Sequence, residues 1–207
     1  MNLNATEARI LGSLIEKQAA TPETYPLTVN ALVTACNQKT AREPVMNLSP
    51  GQIAHTLRDL AERELVRKVA GARAERWEHR MDKAFTLTPP RRILLGLILL
   101  RGPQTLGELL LRSDRMCSFR STSAVQEELD GLIEAGHVVM MPRRSGQREN
   151  RYMHLLSGEP TARSDDAGPA PFENDRSDEP RAPSLADRVA ALEARVAELE
   201  EKLGDAG

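Results

Sequence analysis

The chain has 207 residues, of which 40% are hydrophobic, 28% charged and 3% aromatic, and its formal net charge is −2. That length supports one or two domains with a core that needs no covalent staples. A membrane-spanning or disulfide-framed protein is excluded: the longest apolar run, residues 93–100 interrupted by Gly96, is far too short to cross a bilayer, and Cys36 and Cys117 are too few for a framework.

No cationic leader with an apolar core opens the sequence, so a cytoplasmic location is expected, where thiols stay reduced. The four histidines, His55, His79, His137 and His154, show no H-x₃-H spacing, and the cysteines no C-x₂-C spacing. Packing or surface roles are the reading for all six, with no metal and no cofactor. Charge is uneven: residues 1–157 carry 22 Lys and Arg against 17 Asp and Glu, whereas residues 158–207 carry 6 against 13. A mildly basic body with an acidic tail permits a polyanionic partner.

In chain order, the first helix is predicted from Asn4, an N-cap with Glu7 at the third helical position, and Leu3 and Ala8 are placed for a hydrophobic staple. "PLTVNALVTACNQ" supplies a second helix with Val29, Leu32, Val33 and Cys36 on one face. Next comes "ACNQKTAREPV" (35–45), which gathers a cysteine, two amides, a lysine, an arginine and a glutamate. No base or metal ligand is spaced beside Cys36, so the stretch reads as a connection. Cys36 turns to the core, Asn37 and Gln38 brace the helix end, and Pro44 holds Glu43 away from helix. Lys39 and Arg42 are candidate phosphate contacts, with Glu43 bracing either cation. Ser49-Pro50-Gly51-Gln52 is a capping box that opens a third helix with Ile53, Leu57 and Leu60 inward.

Thr88 and Pro89 open "RRILLGLILL", which is apolar nearly all round. It is expected to be buried on several sides, either within its own domain alone or also against the first domain or a second subunit. Thr105 and Glu108 cap the next helix, and a further helix starts at Ser121 to Ser123 and closes at Gly136.

The body is a repeat. "LRDLAERELVRKVAGARAERWEHR" (57–80) and "LDGLIEAGHVVMMPRRSGQRENRYMHL" (129–155) each read as a helix end, a strand, a basic glycine-containing loop and a return strand. Arg76-Trp77-Glu78-His79 matches Arg151-Tyr152-Met153-His154. Three helices and a hairpin, twice over, is the order of a winged helix. The fold expected is therefore mainly α with small β-hairpins. Two tandem winged-helix domains, 1–83 and 84–156, are followed by a linker over 157–183, poor in large apolar residues, and by a C-terminal coiled-coil helix over 184–207.

In that last segment Leu185, Val189, Leu192, Val196, Leu199 and Leu203 are spaced 4, 3, 4, 3, 4. Two valines and a leucine at a, with leucine at d, favour two parallel strands; parallel pairing also sets Arg188 against Glu193′ and Arg195 against Glu200′. A parallel homodimer through 184–207 is expected, with docking of this helix on its own body as the alternative.

The blocks "LGSLIEKQAATPETYPLTVNALVTACNQKTAREPVMNLS" (11–49), "RGPQTLGELLLRS" (101–113) and "GQRENRYMHLL" (146–156) resemble the YceH-like family of bacterial proteins, across essentially the whole body. The resemblance implies a tandem winged helix and no particular activity.

Two functions follow as expectations. In the first, the protein binds double-stranded DNA or acts in transcription. The third helix would offer Gln52, His55, Thr56 and Arg58 to base edges, and Lys39, Arg42, Arg67, Lys68 and Arg73 would meet phosphates. In the second copy Gln126, Glu127, Glu128, Asp130 and Glu134 make an acidic helix face, so any contact there falls to the wing residues Arg143, Arg144 and Arg148. In the second function, the winged helices form a scaffold for an unidentified protein partner without DNA. No Ser/His/Asp order, P-loop or Rossmann glycine pattern occurs, so neither an enzyme nor a membrane partner is expected.

Overall fold

The computed structural model describes residues 2–70, 74–143 and 149–158. The linker and heptad readings, together with Arg73, Arg144 and Arg148, lie outside these residues apart from 157 and 158. Among the described residues the protein is mainly helical with two small antiparallel hairpins, in the order α1 (Ala5–Ala20), α2 (Val29–Cys36), α3 (Pro50–Glu62), β1 (Val66–Val69), β2 (Arg76–His79), α4 (Met81–Phe85), α5 (Pro89–Arg101), α6 (Leu106–Ser113), α7 (Thr122–Glu134), β3 (Val138–Met141) and β4 (Arg151–His154). No described helix is long and apolar enough to cross a membrane.

The helix starts form where the capping chemistry puts them. Asn4, Ser49 and Thr105 each accept from the third helical backbone N–H, while Glu7, Gln52 and Glu108 reach back to the cap's own N–H. Leu3 and Ala8 are both buried beside the first of these starts. Gly136, at φ 71, ends α7 in the left-handed region that glycine adopts without strain. The helix α4 has no side-chain cap and only five residues, so no periodicity announces it.

The repeat extends to single bonds. Val66 pairs with His79 and Val138 with His154, and in both return strands the second and fourth residues are buried. A third extended segment joins each hairpin by one bridge: Leu27 and Trp77 exchange both backbone bonds (3.0 and 2.7 Å), as do Gln104 and Tyr152 (3.1 and 2.8 Å). Arg76 Nη1 donates to Pro26 O at 2.7 Å, and Arg151 Nη1 donates to Pro103 O at 2.9 Å.

Residues Met1–Arg163 constitute one compact unit, because α1 and α5 pack directly on each other. Of the two readings for the apolar helix α5, the wider one holds: it packs on α1 as well as on α6 and α7. A Cβ on Gly96 would lie 2.6 Å from Ile15 Cγ2, and one on Gly12 would lie 2.8 Å from Leu100 Cγ. The two glycines therefore set how closely the helices approach. Ile10, Leu11, Leu14 and Ile15 meet Leu94 and Ile98 in a single core that both halves share, each 1% exposed or less.

Candidate nucleic-acid interface

The connection between α2 and α3 is held from beneath by two buried arginines. Arg9, 1% exposed, donates from Nη1 to Cys36 O at 3.0 Å and from Nη2 to Pro44 O. Cys36 O is one of the last carbonyls of α2, so the guanidinium meets the negative end of that helix. Arg42, with no exposed side-chain surface, donates from Nε to Ala35 O at 2.9 Å and forms a two-pronged pair with Glu16 of α1. Asn37 mimics a strand neighbour, its side chain donating to Leu48 O and accepting from Leu48 N, both at 2.8 Å. Cys36 is buried with its sulfur 3.6 Å from Ser13 Oγ, and burial pushes its thiol pKa up.

This geometry corrects the sequence reading at two residues. Arg42 is not a surface phosphate contact: it is consumed by Glu16 and by the end of α2, and the bracing carboxylate is Glu16 rather than Glu43. Thr56 is 8% exposed, and its hydroxyl donates to Gln52 O at 2.9 Å, so it faces the core side of α3. A helix repeats every 3.6 residues, and Thr56 follows the buried Ile53 by three.

What remains outward is a row on α3 at i, i+3 and i+6: Gln52, His55 and Arg58, all exposed. Gln52 Oε1 accepts from Ser49 N at 2.8 Å, which leaves its amide N–H groups to the outside. His55 Nε2 stands 3.7 Å from Asp59, and Arg58 Nε donates to Ala54 O at 3.2 Å, keeping its terminal nitrogens outward. Lys39 is exposed on the connection between α2 and α3. On β1, Arg67 pairs with Glu78 at 2.6 Å and Lys68 pairs with Glu75. Both pairs are exposed, and pairs of that kind stabilise little, so either cation exchanges its partner readily.

The second half presents a different face. Glu127, Asp130 and Glu134 are exposed on α7, while Glu128 is tied to Arg91 of α5 at 2.9 Å. Gln126 is engaged by Asp130 and by the Tyr152 hydroxyl. Arg143 is exposed at the end of β3. Leu111 on α6 is 79% exposed and Met140 on β3 47%. No group of three or more His, Cys, Asp or Glu able to hold a metal ion occurs among the described residues.

Sequence reasoning passed over Arg9 and Glu16. A signal for both is present: Arg9, Ser13 and Glu16 are spaced 4 and 3 along α1, a polar stripe on a helix otherwise buried through apolar residues.

A duplicated three-helix and hairpin unit, with its two copies fused through α1 and α5 and different in surface charge, defines a class of small, mainly helical proteins built from two similar copies. Comparison places the chain within that class more narrowly. The family model described as "Protein of unknown function, DUF480" matches residues 3–147, and the chain belongs to this family. It is 53% identical over 203 residues to a UPF0502 protein of Pseudomonas syringae pv. tomato, covering 98% of this chain and 91% of the relative. It is 61% identical over 160 residues to a UPF0502 protein of Pseudomonas syringae pv. syringae, covering 77% and 71%. A UPF0502 protein of Pseudomonas aeruginosa is 59% identical over 157 residues, covering 76% and 71%.

Proposed function

We propose that the protein is a tandem winged-helix, double-stranded DNA-binding protein of the cytoplasm that contacts DNA through its first half. The observation that carries this reading is the row Gln52, His55 and Arg58 on α3, in a half that also exposes the cations Lys39, Arg67 and Lys68. Amide, imidazole and guanidinium groups read base edges in the major groove, and lysines beside them meet phosphates. The second half contributes through its basic wing, because the exposed acids of α7 repel a phosphate backbone. The heptad segment 184–207 brings two copies together as a parallel pair, and two first halves side by side raise a weak single contact by avidity.

Polarisation assays with genomic DNA fragments at low and moderate salt test the reading. Arg58→Ala is expected to cost about 1–3 kcal/mol of binding and to relax base specificity, whereas Lys39→Ala is expected to weaken binding to all sequences alike and to reduce the slope of log affinity against log salt by about 1. Absence of binding at low salt rejects the proposal.

A second reading, a protein scaffold, is favoured by Leu111 and Met140, which expose apolar side chains on the half whose α7 is acidic. Its test is recovery of partners from nuclease-treated extract. A stoichiometric protein that is retained by the wild type and lost with Leu111→Asp supports the scaffold.

A further inference from the structure

The outward side of α3 is uneven in what it offers: its acceptors are occupied and its donors are not. Gln52 Oε1 accepts from Ser49 N at 2.8 Å, which closes the capping box at the start of the helix. The amide N–H groups of Gln52 make no hydrogen bond among the described residues. Arg58 Nε donates to Ala54 O at 3.2 Å, one turn earlier, while its two terminal nitrogens make no hydrogen bond or ion pair among the described residues. The one other acceptor beside the row, the Asp59 carboxylate, is paired with His55 Nε2 at 3.7 Å. Gln52 and Arg58 are therefore two exposed side chains that present donors only, each steered by a bond to its own helix backbone.

In the major groove a guanine edge carries two acceptors, N7 and O6, and no donor. Adenine sets its N6 donor beside N7, thymine a methyl group beside O4, and cytosine shows the N4 donor. The paired contact of glutamine with adenine uses the amide oxygen together with the nitrogen. In this protein that oxygen is turned back to the cap. The two terminal nitrogens of an arginine match N7 and O6 of one guanine. We infer that α3 is selective for guanine, with Gln52 and Arg58 each meeting one guanine of the same duplex site. The inference rests on the reading of α3 as the helix that enters the major groove.

Six residues at about 1.5 Å each separate the two positions by about 9 Å along the helix, or roughly two to three base steps of about 3.4 Å. The second half lacks both donors. Counted from the matching caps Ser49 and Ser121, α7 has Ala124 where α3 has Gln52, and Asp130 where α3 has Arg58. Alanine offers no side-chain donor and a carboxylate only accepts, so guanine selection belongs to the first half.

The test is selection of bound duplexes from a random library by the full chain, followed by polarisation titration of the selected duplex and its single-base variants. Two enriched guanines are expected, with affinity falling roughly 5- to 150-fold when either is replaced. Gln52→Glu keeps an oxygen for the Ser49 N–H, because glutamate also completes a capping box, but it removes both donors. Selection with that variant exchanges one guanine for cytosine, whose N4 donates to a carboxylate. Gln52→Ala, which adds no negative charge, loses the preference at the same position and acquires none. Arg58→Ala loses the other guanine alone. Melting curves confirm that each variant is folded. Binding without guanine enrichment, or both guanines retained by Gln52→Ala, overturns the inference and leaves the DNA-binding reading standing. Failure of the wild type to bind any duplex at low salt overturns both.

Discussion

Lys39 and Arg42 are three residues apart in one connection, yet their environments oppose each other. Lys39 is open to solvent, whereas the Arg42 side chain has no exposed surface and holds both Glu16 and the last turn of α2. Removing one partner of a buried pair leaves the other charge without compensation, which is the costly case. Arg42→Ala is therefore expected to destabilise the protein by on the order of 3 kcal/mol in urea unfolding. Lys39→Ala should stay within about 0.5 kcal/mol, as surface changes usually do. Equal stability of the two variants would contradict the clamp described here. The same comparison separates a phosphate contact from a structural one, since only Lys39→Ala permits a DNA assay on an intact fold.

Among the elements, the pair α1 and α5 governs how the halves sit. Gly12 and Gly96 let two apolar helices come close, and the facing atoms are Ile15 and Leu100 side chains held deep in the core. A branched isoleucine packed at 1% exposure has little room to withdraw from a new methyl. Gly96→Ala gains helix propensity but meets Ile15 Cγ2 at 2.6 Å. Overpacking of this kind typically costs about 1–3 kcal/mol, which exceeds the propensity gain of about 1 kcal/mol. A lowered urea midpoint with an unchanged m-value is the expected result.

At the scale of the molecule, both hairpins end in a buried histidine whose pKa is pushed down to about 4. For His79 the leading cause is burial, which Arg92 adds to and Asp82 opposes. Its ring is satisfied as the neutral species: Nε2 donates to Gln18 Oε1 at 2.7 Å and Nδ1 accepts from Met81 N at 3.3 Å. Protonation would set an N–H at Nδ1 against the Met81 N–H. For His154 burial alone is the cause, and its Nδ1 has no partner among the described residues. A depressed folded-state pKa means that the unfolded chain binds protons first as pH falls. The contribution is fully present above about pH 6.5, is lost as pH drops toward about 4, and is on the order of 3 kcal/mol for each histidine. Unfolding free energy measured across that window should fall with a slope near two protons from these groups, and His154→Leu should reduce it by about one. A slope unaffected by that substitution would show that His154 titrates alike in both states.

Much of the element order is legible in the sequence because its signals are local. Caps at Asn4, Ser49 and Thr105, the glycine at 136 and the matched strands ending in His79 and His154 each depend on a few adjacent residues, and each appears where the pattern places it. The outward row of α3 was legible in part, since helical period separates Arg58 and His55 from Leu57. It failed at Thr56, which is at the margin of the buried arc, where a few degrees of helix rotation decide exposure. Arg42 was misread for a different reason: charge composition marks a residue as capable of meeting phosphate, but its partner Glu16 is 26 positions away. Thus the chain itself determined its helices, hairpins and internal duplication through short-range stereochemistry and periodicity. The tertiary structure decided which charges are consumed within the fold and how α5 joins the halves. Those outcomes depend on distances between residues remote in sequence, which no local pattern encodes.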